Sequence, residues 1–217
     1  MFKQLFGSGK RSTLVDAAFE DVSRMLQQSS KMLDYSLAAL LDNEDLQVDL
    51  DNMDDVVDEG ERMVRRTILQ HLSVNPQQDL VASLILVSMV QDAERIGDFS
   101  RGMGEIIDLA QSPREGEFAA ELRDLSSRIR PLFELTEQAF REDDPELASR
   151  VTSEHSAIKQ ALIEYTSRVA ASELSADMAI VYAIAARILR RISAHLSNIA
   201  SSVVQPYDRI RHGDEDM

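Results

Sequence analysis

LVASLILVSMVQDAERIGD, residues 80 to 98, is the stretch that decides the fold of this chain. Leu80, Leu84 and Val87 recur at intervals of three and four residues, which is the period of one face of an α-helix. Glu94 and Asp98 continue the same stripe and lie one helical turn apart. The stretch therefore predicts a long helix that turns apolar side chains, and then two carboxylates, toward a partner helix.

The composition of the whole chain also favours helices. Only 8 Gly and 5 Pro occur among 217 residues, which is too few for a turn-rich β-sandwich or barrel. Aromatic residues make up 5% of the chain, so the core is expected to be aliphatic, as in antiparallel helical bundles. We expect an all-α protein.

Turn signals fall at wide intervals and divide the chain into six segments with helical periodicity. Pro131 lies inside the fourth segment and is expected to kink or interrupt it. The segments are predicted to cover residues 13–41, 44–71, 77–111, 117–141, 145–171 and 176–205.

The first three segments and the last three look like copies of one unit. A shift of 101 superposes Val57 on Ile158, and a shift of 96 superposes Arg95 on Arg191. Chance similarity between amphipathic helices is the alternative. We predict two tandem antiparallel three-helix bundles, at 12–111 and 116–206, with flexible termini at 1–11 and 207–217.

The charge and the cysteine count exclude several classes of function. Lys and Arg total 23 against 38 Asp and Glu, a formal net charge of −15, which argues against a nucleic-acid partner. The absence of Cys excludes disulfides and thiolate chemistry, and it suits a reducing cytoplasm. The nearly apolar run from Leu80 to Val90 is about half the ~20 residues that a spanning helix needs, so no transmembrane segment is expected.

A second pair of carboxylates, Asp54 and Asp58, has the same spacing on the second helix. If the second and third helices are neighbours, these two residues share one groove with Glu94 and Asp98. Desolvation and like-charge repulsion then require a cation or raised pKa values. Oxygen ligands favour hard cations such as Mg²⁺, Mn²⁺ or Fe³⁺. Acidic pairs at this spacing also occur on solvated helix faces, and spacing alone does not separate the two interpretations.

The run Asp92-Ala93-Glu94-Arg95-Ile96-Gly97-Asp98, preceded by Asp54-x-x-Val57-Asp58 and by the Asn75-Pro76 turn, resembles the PhoU family of regulators of phosphate uptake. The resemblance extends over nearly the whole chain, because that family consists of two tandem three-helix repeats. Its E(D)-x-x-x-D motifs line multinuclear iron or zinc clusters. The resemblance therefore implies a divalent or trivalent metal (iron, zinc, manganese or magnesium), with Asp54, Asp58, Glu94 and Asp98 as ligands and Asp55, Glu61 and Asp92 as helpers.

The second repeat departs from the family pattern. Arg190 and Ala194 stand where the family has Glu and Asp, and His155 and Lys159 correspond to Asp54 and Asp58. Because cations oppose the approach of a metal ion, we expect metal in the first repeat only. We also expect Arg190 and Lys159 to pair with nearby acids such as Glu154.

The resemblance implies a cytoplasmic regulator without enzymatic activity, and hence no catalytic residues. It implies docking on a phosphate transporter or its sensor histidine kinase, and a homodimer. An accessory protein of another ion transporter and a carboxylate-bridged metalloenzyme are the alternatives. The metalloenzyme wants Glu-x-x-His pairs, and the sequence has none. Phe2, Leu5 and Phe6 among basic residues favour a frayed terminus, and a peripheral contact with the inner face of the membrane or with the transporter is the alternative.

Overall fold

The structure is a computed structural model and describes residues 13–205. Its helices are α1 (Thr13–Leu41), α2 (Leu50–Val74), α3 (Leu80–Glu105), α4 (Gly116–Glu142), α5 (Pro145–Ala170) and α6 (Ala176–Ser201), with a short 3₁₀ helix (Ile107–Leu109) after α3. No β-strand occurs within this range. The prediction of an all-α protein with six long helices is confirmed.

Two helix starts differ from the sequence prediction by three residues or more, and α3 ends at Glu105 rather than near residue 111. α2 begins at Leu50 rather than near Glu44, because the Asp49 side chain caps it and accepts a hydrogen bond from the backbone N–H of Asn52 at 3.1 Å. α3 begins at Leu80 rather than at Gln77, after Asp79 in the left-handed backbone conformation.

α4 is one unbroken helix. Pro131 lies inside it, and the helical assignment runs without interruption from Gly116 to Glu142. Of the kink or interruption expected at Pro131, the interruption is therefore wrong, and the helix tolerates the missing N–H at that position.

The helices pack as two sets of three. α1, α2 and α3 contact one another, and so do α4, α5 and α6. The two sets meet where α3 packs against α6 and where α1 packs against α4. One continuous apolar core runs through both sets, with residues such as Val22, Met89, Leu122 and Leu189 almost fully buried. Because apolar burial drives folding, this shared core holds the two sets together.

A buried polar cluster lies where α3 crosses α6. The Asp92 carboxylate accepts hydrogen bonds from His195 Nδ1 at 2.7 Å and from Asn198 Nδ2 at 3.1 Å. Phe99 stacks on the His195 ring with 5.6 Å between the centroids, and the Arg191 guanidinium lies 5.5 Å from the centre of the Phe99 ring. We call these five residues the Asp92–His195 cluster. It joins the two sets of helices by directional bonds that the apolar core cannot supply.

The ends of the chain lie outside the described residues. These ends include the predicted aromatic tip at Phe2, Leu5 and Phe6, the termini 1–11 and 207–217, and the predicted helix stop at Pro206. Within 13–205, none of the helices is long and apolar enough to cross a membrane.

Candidate functional site

α2 and α3 approach each other closely at Gly97. A Cβ atom added to Gly97 would lie 3.0 Å from Val57 Cγ1 and 3.1 Å from Asp54 Oδ1. Because real Cβ contacts are rarely that short, only glycine lets Asp54 lie flat against α3 at this point. Close packing thus requires glycine at position 97, whereas Gly102 faces open space.

The groove beside Gly97, which we call the acidic groove, brings the four predicted carboxylates together. Asp54 and Asp58 reach it from α2, and Glu94 and Asp98 reach it from α3. All four side chains are partly shielded from solvent, and Asp54 is 14% exposed. The sequence prediction that these positions share one groove therefore agrees with the structure.

The acidic groove disfavours its own full ionisation. Burial raises the pKa of Glu94 to about 7, and repulsion by Asp98, Glu61 and Asp58 adds to that rise while Arg95 opposes it. Burial also raises the pKa of Asp54, with repulsion from Asp98 and Asp58 acting in the same direction. Negative charge in the groove is thus costly, and a bound cation would relieve that cost.

Arginines already offset part of that charge. Arg101 Nε lies 2.8 Å from Asp54 Oδ2, and its Nη1 lies 2.8 Å from Glu105 Oε1. Arg95 Nη1 lies 3.0 Å from Asp98 Oδ2, and Arg62 contacts Asp58 at 3.3 Å. These guanidinium groups occupy carboxylate oxygens that a metal ion would need.

The donor set suits an oxygen-preferring cation, but the side chains are not gathered around one point. Among residues 13–205 no three His, Cys, Asp or Glu side chains are grouped so that they could hold a metal ion. Arg101 and Arg95 instead hold Asp54 and Asp98, so the groove as the structure shows it forms ion pairs and not a metal site.

The three predicted helper residues lie in different surroundings. Glu61 faces the acidic groove, where its charge acts on Glu94, and it pairs with Arg65 at 2.7 Å. Asp55 is exposed. Asp92 is bonded to α6 in the Asp92–His195 cluster, so the structure gives it a role in joining the helix sets.

The equivalent positions of the second set are arranged differently. His155 Nδ1 lies 3.0 Å from Ser193 Oγ, and Ala194 is buried. Glu154 pairs with Arg128 at 3.6 Å and not with Arg190, so the predicted pairing of Arg190 with Glu154 is wrong.

Sequence reasoning missed an open groove between α5 and α6 with a volume of about 420 Å³. Its walls are mainly apolar, with two arginines from α6. We call it the arginine groove. It is lined by Leu162, Ile163, Thr166, Ser167, Ala183, Ile184, Ala186, Arg187 and Arg190. The signal that could have found it is the spacing of Ile180, Ile184 and Arg187, which places two large apolar side chains and a cation on one face of α6.

A family model described as the PhoU domain matches residues 22–107. The match covers less than half of the chain; it runs from α1 to the 3₁₀ helix after α3 and contains the whole acidic groove. The resemblance to the PhoU family drawn from the sequence motifs is confirmed.

A relative and two solved structures extend the likeness over most of the chain. The chain is 28% identical over 195 residues to the Thermotoga maritima protein named phosphate-specific transport system accessory protein PhoU homolog 1, covering 85% of this chain and 83% of that one. The phosphate transport system regulatory protein PhoU from Streptococcus pneumoniae superposes with a TM-score of 0.79 at 18% identity, over 92% of this chain and 97% of that one. PhoU from Pseudomonas aeruginosa gives 0.77 at 20% identity, over 88% and 95%. At these identities the solved structures show that the six-helix fold is shared.

Proposed function

We propose that this protein regulates phosphate transport by docking on a phosphate transporter or on its sensor histidine kinase, without catalysing a reaction. The observation that carries the proposal is the PhoU domain at 22–107, together with a relative named as an accessory protein of a phosphate-specific transport system. In this proposal the protein is a cytoplasmic homodimer that associates peripherally with the inner face of the membrane. An accessory role for another ion transporter is the alternative that the experiment below separates.

The acidic groove is the proposed metal site of this regulator. Asp54, Asp58, Glu94 and Asp98 would hold a divalent or trivalent ion such as iron, zinc, manganese or magnesium, in a mononuclear or a multinuclear arrangement. Support comes from the raised pKa values of Asp54 and Glu94, since a group that resists ionisation among other acids gains most from a nearby cation. Arg101 and Arg95 are the internal cations that a metal would displace.

The test of the regulatory role is deletion of the gene in its own organism, followed by measurement of phosphate uptake and of the transcription of phosphate-responsive genes. We expect both to lose their dependence on external phosphate, and to regain it with the wild-type gene. Normal phosphate control combined with defective transport of another ion would overturn the proposal and support the alternative.

A further inference from the structure

The arginine groove has the surface chemistry of a docking site rather than of a solvated helix face. Ile163 is 39% exposed and Ile180 is 51% exposed, on the two helices that form its walls. Ile180, Ile184 and Arg187 follow one another along a single face of α6. Exposed apolar side chains grouped beside an open groove are typical of an interaction surface.

The two arginines of the groove are free of ion pairs. Neither Arg187 nor Arg190 contacts a carboxylate among residues 13–205, although other arginines of the second set do. Arg130 pairs with Asp34 at 3.0 Å, and Arg168 pairs with Glu121. In a chain with a formal net charge of −15, these two guanidinium groups beside exposed isoleucines are available to bind a complementary anion from outside.

The arginine groove lacks the acidic residues that lie between α2 and α3 in the first set. Arg190 stands at the position that corresponds to Glu94, and Arg187 at the position that corresponds to Gln91. The corresponding pairs of helices thus carry acids in one set and cations with apolar walls in the other. A metal ion is repelled there, whereas carboxylates attached to an apolar segment are attracted.

We propose that the arginine groove binds an amphipathic helix of a partner protein, with apolar side chains seated between Ile163 and Ile184 and carboxylates paired with Arg187 and Arg190. A helix laid in a groove presents anchors at intervals of three, four and seven residues, which suits a channel between two helices. The partner's place in phosphate transport rests on the proposed function, whereas the binding chemistry does not.

The first experiment measures binding of a synthetic probe to the full chain. The probe is a fluorescein-labelled peptide of about four helical turns, with Leu at helical spacing on one face and Glu on the others. Fluorescence anisotropy is expected to show saturable binding to the wild type. The same peptide with Lys in place of every Glu is expected not to bind. Equal binding of the Lys peptide, or no binding of the Glu peptide, would overturn the proposal.

Matched charge variants locate the site. Arg187→Glu with Arg190→Glu is expected to weaken binding of the Glu peptide at least about tenfold, because two attractive contacts become repulsive. Arg66→Glu with Arg150→Glu makes the same change in net charge at exposed positions elsewhere and is expected to change binding less than about twofold. Equal loss in both double variants would show attraction by overall charge alone and would overturn the proposal.

An apolar variant separates the groove from its charges. Ile163→Ser is expected to weaken binding several-fold while circular dichroism and the melting temperature stay close to those of the wild type, since this side chain is already 39% exposed. Unchanged peptide binding in Ile163→Ser would overturn the groove as the seat of the helix.

Two other occupants are distinguished by the same variants. Sedimentation equilibrium would reveal a second copy of this chain if Arg187→Glu with Arg190→Glu dissociated a dimer that the Glu peptide does not disrupt. Flotation with phosphatidylglycerol vesicles would reveal a lipid surface if the same double variant abolished it. Either result would overturn the proposal.

Peptide binding combined with normal phosphate control after gene deletion would keep this inference and refute the proposed function.

Discussion

The acidic groove lies between α2 and α3 and the arginine groove between α5 and α6, and the two regions carry opposite charges. Asp54, Asp58, Glu94 and Asp98 face the first, whereas the equivalent positions of the second set are His155, Lys159, Arg190 and Ala194. Helix packing depends on the buried stripes of all six helices, which leaves the groove positions free to vary. The difference teaches that one helical scaffold can carry clustered acids on one half and unpaired arginines with apolar walls on the other.

A close view of one pair of positions shows how the grooves diverge. In the acidic groove Gly97 lets Asp54 approach α3, while the equivalent Ser193 of α6 places its hydroxyl 3.0 Å from His155 Nδ1. A hydrogen bond between α5 and α6 thus stands where the first set has a close backbone approach and an acid. The second set fixes its helices with its own side chains and leaves no acid at these positions for a cation.

The largest expected effect is on metal content. Glu94→Ala with Asp98→Ala should abolish metal bound after loading with iron, zinc, manganese or magnesium, because half of the proposed ligands are gone. His155→Ala with Arg190→Ala is the matched control in the other half and should leave metal content unchanged. Elemental analysis of the purified proteins is the measurement.

The melting temperature gives a second test of metal binding in the first set of helices. A chelator should lower the melting temperature of the metal-loaded wild type but not of the variant Glu94→Ala with Asp98→Ala, since a ligand that binds only the folded state stabilises it. Stoichiometric metal in that variant, or loss of metal in the control, would contradict the assignment to the acidic groove.

The next effect concerns the cluster that joins the two halves. Asp92→Ala removes the acceptor of two hydrogen bonds and leaves His195 and Asn198 without it in a buried place, which should lower the free energy of unfolding by about 3 kcal/mol. Urea unfolding followed by circular dichroism measures the loss. Asp55→Ala is the exposed control, with an expected change within about 0.5 kcal/mol. Equal stability of the two variants would show that the cluster contributes nothing.

A smaller effect tests the close approach of α2 and α3. Gly97→Ala gains about 1 kcal/mol of helix propensity but forces its Cβ against Val57 and Asp54, so the net result should be a loss of about 1 kcal/mol. Gly102→Ala in the same helix meets no atom within 4 Å and should gain stability. Urea unfolding of both variants gives the comparison. If both changes stabilise the protein, the close approach of α2 to α3 does not require glycine at position 97.

The smallest effect is a pH dependence confined to the acidic groove. The folded-state pKa of Glu94 is raised to about 7 from its ordinary value of 4.5, so between these values the folded state holds a proton that the unfolded state has lost. Stability of the metal-free protein should therefore fall as pH rises through this window. Glu94→Gln should remove that part of the slope and raise the melting temperature at pH 8, by an amount that solvent screening keeps small.

Thermal melts from pH 4 to pH 8 in the presence of a chelator measure this slope. Glu164→Gln on α5 is the control, because Glu164 is exposed and lies outside the acidic groove. A slope that survives Glu94→Gln unchanged would assign the pH dependence to other carboxylates.

The helices followed from the sequence because apolar residues at intervals of three and four mark a helix without knowledge of its neighbours. The start of α2 did not, because Asp45, Asp49 and Asp51 are all possible caps and only the backbone of the preceding turn selects Asp49. The missing break at Pro131 has a similar cause. Proline weakens a helix locally, while packing of α4 against α5 and α6 holds it together.

The acidic groove was predictable in its residues but not in its pairing. Spacing placed Glu94 and Asp98 on one face, whereas the contact from Arg101 to Asp54 joins residues far apart in the chain, and other acids compete for the same guanidinium. The resemblance implied Asp92 as a helper, but a residue two positions before Glu94 lies on another side of the helix, and Asp92 bonds to α6. The arginine groove depends on the sizes of side chains on two helices and leaves only a faint signal in either.

Phe99 and His195 are related by the shift of 96 and meet each other where α3 crosses α6. At the two-fold axis of a symmetric homodimer, a residue faces the same residue of the other subunit. One mutation therefore changes both sides of that contact. Two sets of helices on one polypeptide can differ at corresponding positions. The Phe99 ring therefore faces the His195 imidazole. Asp92 bonds to α6, although the residue that corresponds to it by the shift of 96 is Ile188. The join between the halves therefore has a direction, which the interface of a symmetric dimer cannot have.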